Sequence, residues 1–331
     1  GRTGDGWAVS GDDAGRAVPW RGRGLAAAAD GLERYLLPLV IVAATAGVAR
    51  PGPGRAVTAH DGIDVALAIL VFATGLSLRL ADLAAVRTAW RRLLVVLVAS
   101  TAVLPALAWA ASQLITDPVL RSGMQTVGVA PAEVATVALC VLAGGEAAVC
   151  AVILAASTLV TVLAAGPILS VLGTSAAVSA GGLLTTLALI IALPLAAGLA
   201  LRASWSPGPR ADAAVRIVTV AALLVLLWQV ASEIRLDAGY VRVIAALLAY
   251  IAASALLGGL LSVRLGRRRG VAVLLPVAMR DFAVAAGIAA AAFGPAAAAP
   301  LGAYGVLVLL AGSAVTQFAR RSSAESLAVR S

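Results

Sequence analysis

The chain has 331 residues, 61% of them hydrophobic and only 12% charged, with a mean hydropathy of +1.00 and a net charge of +9. Soluble domains are about 45–50% apolar and about 25% charged, so an ordinary soluble enzyme, a disordered protein and a nucleic-acid module are all excluded. One histidine, His60, and two cysteines are too few for a His/Cys metal site or a disulfide framework. No metal and no cofactor are expected.

Residues 1–33 are rich in Gly, Arg and Asp, with Trp7 and Trp20 interspersed. They read as a polar, disordered tail and lack the basic-then-apolar order of a signal peptide. A spanning helix needs about 20 mostly apolar residues. Ten such windows follow, near 34–50, 60–79, 92–116, 119–143, 146–173, 180–203, 213–231, 240–264, 270–293 and 295–318. Residues 319–331 then read as a C-terminal tail. The windows are long, Ala/Leu-rich and free of period-two alternation, so they predict an all-α polytopic membrane protein rather than a barrel.

All 25 basic residues are arginine. With a cytoplasmic N-terminus, 19 of them fall in cytoplasmic segments and five, Arg50, Arg55, Arg121, Arg235 and Arg242, fall outside; Arg280 lies within a helix. That asymmetry follows the positive-inside rule. It predicts a multi-pass protein of the cytoplasmic membrane with both termini inside, the Pro51–Arg55 loop outside, and a basic charge spent on orientation rather than nucleic acid. The sequence carries no signal of oligomeric state.

The windows divide five and five, residues 34–173 and 180–318. An odd number per half requires the second half to insert upside down. Inverted repeats of this kind build many secondary transporters, with the site near the bilayer midplane.

Charges inside the apolar segments are few. Between Ser122 and Leu201 there are only Glu133 and Glu146, and between Gly270 and Ala319 only Arg280 and Asp281. A charge at a helix centre costs about 2.5–3.5 kcal/mol on insertion scales. Glu146 follows Gly144-Gly145 and reads as a solvated helix start. The deeper three follow prolines, in Pro131-Ala-Glu133-Val-Ala-Thr136 and in Pro276-Val-Ala-Met-Arg280-Asp281. Proline removes a donor and clashes with the preceding turn, so helices four and nine are expected to break at Pro131 and Pro276. Five residues past each proline stand Thr136 and Asp281, which the repeat would make equivalent. These residues read as a substrate and ion site, or else as ordinary kinks with an Arg280–Asp281 ion pair.

The run from Pro131 to Thr136 and on through Leu142-Ala-Gly-Gly and Ser157-Thr158-Leu159 resembles the fourth and fifth helices of the bile acid:sodium symporter family. The stretch Ala291-Ala-Phe293-Gly-Pro295 through Pro300 is similar to that family's passage from helix nine to helix ten. The resemblance covers about residues 34–318. It implies ten helices, inverted five-helix repeats, helices four and nine broken where they cross, and a core domain that handles ions and an organic anion. It also implies departures. Sodium carriers of the family place glycines, a serine and an asparagine where this chain has Ala132, Glu133, Thr136 and Val137. They place a glutamate and a Gln-Asn pair where it has Pro276 and Arg280-Asp281.

The expected function is therefore ion-coupled transport of a small organic anion, not enzymatic catalysis, at Glu133, Thr136, Arg280 and Asp281. The partners are that anion, a coupling cation (sodium or a proton) and the lipid bilayer. In the proton version Arg280 turns to the anion, Asp281 takes up the proton, and Thr136 supplies a hydroxyl. Alternatives are a metalloid oxyanion exporter, for which Cys140 is the candidate ligand, and a non-transporting sensor or scaffold on the same fold.

Overall fold

The computed structural model describes residues 20–77, 90–172, 180–205 and 208–328. Among the described residues every regular element is helical and there is no strand. Ala- and Leu-rich segments favour this locally, and a bilayer enforces it because helices satisfy their own backbone donors and acceptors.

In chain order the helices are α1 (Trp20–Arg34), α2 (Leu36–Ala49), α3 (Pro51–Thr58), α4 (Gly62–Ser77), α5 (Trp90–Ser112), α6 (Pro118–Val129) and α7 (Ala135–Leu142). There follow α8 (Ala147–Val171), α9 (Ala180–Leu187), α10 (Leu193–Ser204), α11 (Pro209–Ser232), α12 (Tyr240–Ser262), α13 (Gly266–Ala278), α14 (Phe282–Phe293) and α15 (Ala299–Ala328). A five-residue π turn, Ala188–Ala192, joins α9 to α10 just before Pro194. Such a turn absorbs the bond that proline cannot make.

Six helices are long and apolar enough to cross a membrane, and the number rises to eight if two bent pairs each count as one span. The bent pairs are α1 with α2, at 68°, and α3 with α4, at 77°. The fourth and ninth windows are different. Helices α6 and α7 hold 12 and 8 residues, and α13 and α14 hold 13 and 12. At about 1.5 Å per residue none of these four reaches across a hydrocarbon core of about 30 Å alone.

The sequence reading needs amending in several places. Residues 20–33, read as disordered tail, belong to α1, whose Ala29 is 1% exposed. Helix α1 lies against α11, where Arg216 donates to both Glu33 oxygens at 2.6 Å and to Asp30 at 2.7 Å. The alanine run supplies the helix and that fork anchors it; residues 1–19 lie outside the described residues. At the other end α15 continues to Ala328 through the stretch read as a tail. The Pro51–Arg55 loop is the start of a short helix, with Pro51 at its first position, where proline is well tolerated. Tyr240, at the start of α12, is buried and donates to the Ala299 carbonyl at 3.0 Å.

The helices pack as two groups. Helices α2, α4, α10 and α11 form one, and the close approach of α4 and α10 depends on Gly75 and Gly198. A Cβ at either would strike backbone of the other helix, the use small residues serve between membrane helices. Helices α5–α8 and α12–α15 form the second group, around the two breaks.

Candidate functional site

Between α6 and α7 the chain is extended at residues 130–133, and between α13 and α14 at 279–281. The two stretches cross antiparallel at Ala132 and Arg280. The Asp281 N–H donates to the Pro131 carbonyl at 2.8 Å and the Glu133 N–H to the Met279 carbonyl at 3.0 Å. Facing away, the Ala132 N–H donates to Ser157 Oγ at 3.0 Å and the Arg280 N–H to the Tyr304 hydroxyl at 3.1 Å.

Three further carbonyls freed at the breaks are satisfied too. Thr161 donates to Val129, the Arg280 guanidinium to Ala130, and Ser254 to Ala278. Buried backbone polar groups must find partners, and broken helices survive in a membrane only when protein or water supplies them. Here hydroxyls of neighbouring helices, one guanidinium and the opposite break do so.

The paired bonds at the crossing follow a local two-fold that exchanges Ala132 with Arg280. The same operation exchanges Glu133 with Asp281 and Pro131 with Met279. Counting from the prolines matches Thr136 to Asp281 instead, and that register is off by three. Pro131 lies inside its break, whereas Pro276 lies inside α13, two residues before the helix ends. The second break is placed by the pairing with residues 131–133, not by its proline.

All four predicted polar residues are buried at this crossing, and their roles differ. Asp281 is the N-cap of α14, accepting from the Ala283 and Val284 N–H groups at 2.8 and 3.0 Å through Oδ1. Thr136 donates its hydroxyl to the Glu133 carbonyl at 2.5 Å and closes the first turn of α7. The Glu133 carboxyl, 1% exposed, lies against the N–H groups of Val134, Ala135 and Phe282, so the starts of α7 and α14 both converge on it. Its Oε2 has no hydrogen-bond partner. Arg280 is 4% exposed, and its Nε also lacks a partner. Among the described residues no ion pair joins Arg280 to Asp281. The ion pair of the alternative reading is absent because the break sends the two side chains in different directions, Asp281 to the start of α14 and Arg280 to the end of α6.

Arg280 lines a small cavity together with Thr101, Ser157 and Thr161, with about 10 Å³ of room, enough for about one water. Through Thr101, Pro105 and Ile168 it adjoins a groove of about 310 Å³ between α5 and the end of α8. Sequence reasoning singled out Ser157, in the Ser157-Thr158-Leu159 run, but missed Thr161, Tyr304 and Ser254. For Thr161 a signal existed: it stands four residues after Ser157, on the same face of an apolar helix.

The chain from α4 through the start of α13, residues 64–267, matches the sodium bile acid symporter family model. The chain belongs to the sodium bile acid symporter family. The match includes the first break and ends before the second. No curated protein matches the chain. Sodium bile acid symporter family members are membrane transporters, and the apolar helices place this chain in a membrane as a multi-pass protein. Neither cysteine lines the Arg280 cavity or its groove; Cys140 and Cys150 are fully buried within reach of each other, with Thr136 beside them.

Proposed function

We propose that the chain is a secondary active transporter that carries a small organic anion across the cytoplasmic membrane, driven by a coupling cation. The observation that carries this reading is Arg280: a buried guanidinium with an unpartnered Nε, on a small cavity that shares Thr101, Pro105 and Ile168 with a groove of about 310 Å³. The groove's volume is at the low end for organic-ligand sites, and a guanidinium on the cavity beside it selects an anion with forked oxygens. The experiment that tests it is a flux screen of small carboxylates in proteoliposomes; a protein that binds such anions without moving them would be a sensor.

The proposal includes ten crossings in two inverted repeats, residues 34–173 and 180–318. It is supported by the two broken pairs, each taken as one span beside the eight other candidates, and by the local two-fold at their crossing. Side-specific labelling checks it. Gly54 is a poor reporter, because a Cβ there would lie 2.6 Å from Ser232 atoms. Gly52 is open, so Gly52→Cys and Arg264→Cys, in a cysteine-free background, should react from opposite faces of intact cells. Reaction from one face would remove the ten-crossing arrangement.

We assign the coupling ion as a proton rather than sodium. Two carboxyls and one guanidinium leave the buried crossing one negative charge in excess, which a single monovalent cation balances. Asp281 is occupied as a cap, so Glu133, with its unpartnered Oε2, is the carrier. Arg280 supplies its own positive charge beside the oxygens of Ala130, Ser157 and Thr161, and opposes a sodium ion there. Exchanging sodium for choline should therefore change uptake by less than about threefold, or about 0.65 kcal/mol of coupling. A hundredfold loss would show that sodium is ligated at the breaks after all.

A further inference from the structure

A cleft away from the crossing lies where the α7–α8 and α12–α13 connections meet. It holds about 600 Å³ and is lined by Glu146, Leu265, Gly266, Arg267, Arg268 and Arg269. The connections are joined directly: the Glu146 N–H donates to the Arg268 carbonyl at 3.1 Å, and Arg269 pairs with Glu146 at 3.0 Å. Arg264 stands just before the cleft in the chain. Four guanidiniums against one carboxylate leave a strongly positive surface. Arg264 and Arg268 are exposed and make no ion pair or side-chain hydrogen bond with any described residue.

The placement of that charge is informative. Helix α12 is a candidate span that ends at Ser262, so Arg264 and the cleft begin where the hydrocarbon ends. Along the last turns of α12, Leu256, Leu260 and Val263 are 65%, 63% and 74% exposed. Their spacing of four and three puts them on one face of the helix. An apolar stripe that runs into a basic cleft has the layout of a phospholipid, acyl chain beside the stripe and phosphate among the arginines. Orientation by positive-inside charge accounts for arginines on this side, but not for a cleft of this size between them. Basic pockets at the ends of membrane helices hold anionic headgroups.

We propose that this cleft binds the phosphate headgroup of an anionic glycerophospholipid, and that the bound lipid ties the α7–α8 connection to the start of α13. Because each connection adjoins one of the broken pairs, an occupied cleft stabilises the packing of both.

The test uses the full chain in nanodiscs of phosphatidylcholine alone or with phosphatidylglycerol. Phosphatidylglycerol should raise the melting temperature by about 3 °C or more, as expected for a ligand that binds only the folded state. The variant Arg264→Gln/Arg268→Gln should lose at least half of that shift. Should the variant fold poorly, the wild-type shift measured across a salt series replaces it and must shrink as salt rises. Equal melting temperatures in the two lipids, a full shift in the variant, or a salt-independent shift would each overturn the proposal. So would inorganic phosphate reproducing the shift in phosphatidylcholine discs, which would make the cleft a site for the free anion.

Discussion

Arg280→Gln should reduce anion flux in proteoliposomes at least about a hundredfold, or about 2.7 kcal/mol at about 1.36 kcal/mol per tenfold. A hydrogen bond to a charged group is worth about 1.5–3 kcal/mol, so the loss of one guanidinium–anion contact accounts for it. The variant has a second effect that must be separated from the first. In this structure the guanidinium also satisfies the Ala130 carbonyl and offsets the charge of Asp281. Removing one partner from a buried charged set costs about 3–5 kcal/mol, so the single variant should also be less stable. The double variant Glu133→Gln/Arg280→Gln restores the wild-type net charge at the crossing. It should recover most of the stability and none of the transport. Recovery of transport along with stability would mean that Arg280 is structural only, and the anion site would have to lie elsewhere.

The break at Pro131 was legible because a proline followed two residues later by a carboxylate interrupts a long apolar run, and a continuous helix would leave that charge in lipid. The second break was legible only to within three residues. Its proline lies inside α13, and the end of that helix is fixed by hydrogen bonds to residues 131 and 133, about 150 positions away. No local pattern encodes such a pairing. The same limit applies to Thr136 and Asp281. The sequence marked them as polar groups at depth, but whether a hydroxyl or carboxylate faces a cavity or caps its own helix depends on backbone angles at the break. Glu133 illustrates the reverse case. Its place between the starts of α7 and α14 follows from the local two-fold, which appears only when both halves are folded together. Helix α1 was missed because its polar flank outweighs Ala26–Ala29 in composition, while its anchor, Arg216, lies on α11.

Gly123→Val should leave little folded protein, whereas Gly259→Ala should be neutral or slightly stabilising. Both glycines lie inside helices of the same group. A Cβ at Gly123 would fall on the Ala297 carbonyl, in the 3₁₀ turn Pro295–Ala298 that leads into α15. Neither side can yield cheaply. The partner atom is backbone, Ala297 is 0% exposed, and the Thr126 hydroxyl one turn on is engaged by the Gly123 and Ala285 carbonyls. Overpacking a core costs about 1–3 kcal/mol even where side chains can move, so about 3 kcal/mol or more is expected here. That is a large share of the total stability of a typical domain, about 5–15 kcal/mol. At Gly259 a Cβ meets nothing within 4 Å. Alanine there only removes backbone freedom from the unfolded chain, a gain of about 0.4–1 kcal/mol. Fluorescence-detected size exclusion across a temperature ramp reads both variants. If Gly123→Val melts with wild type, α6 does not lie against the 3₁₀ turn. The placement of the first break beside α14 and α15 would then be wrong with it, since α6 carries that break.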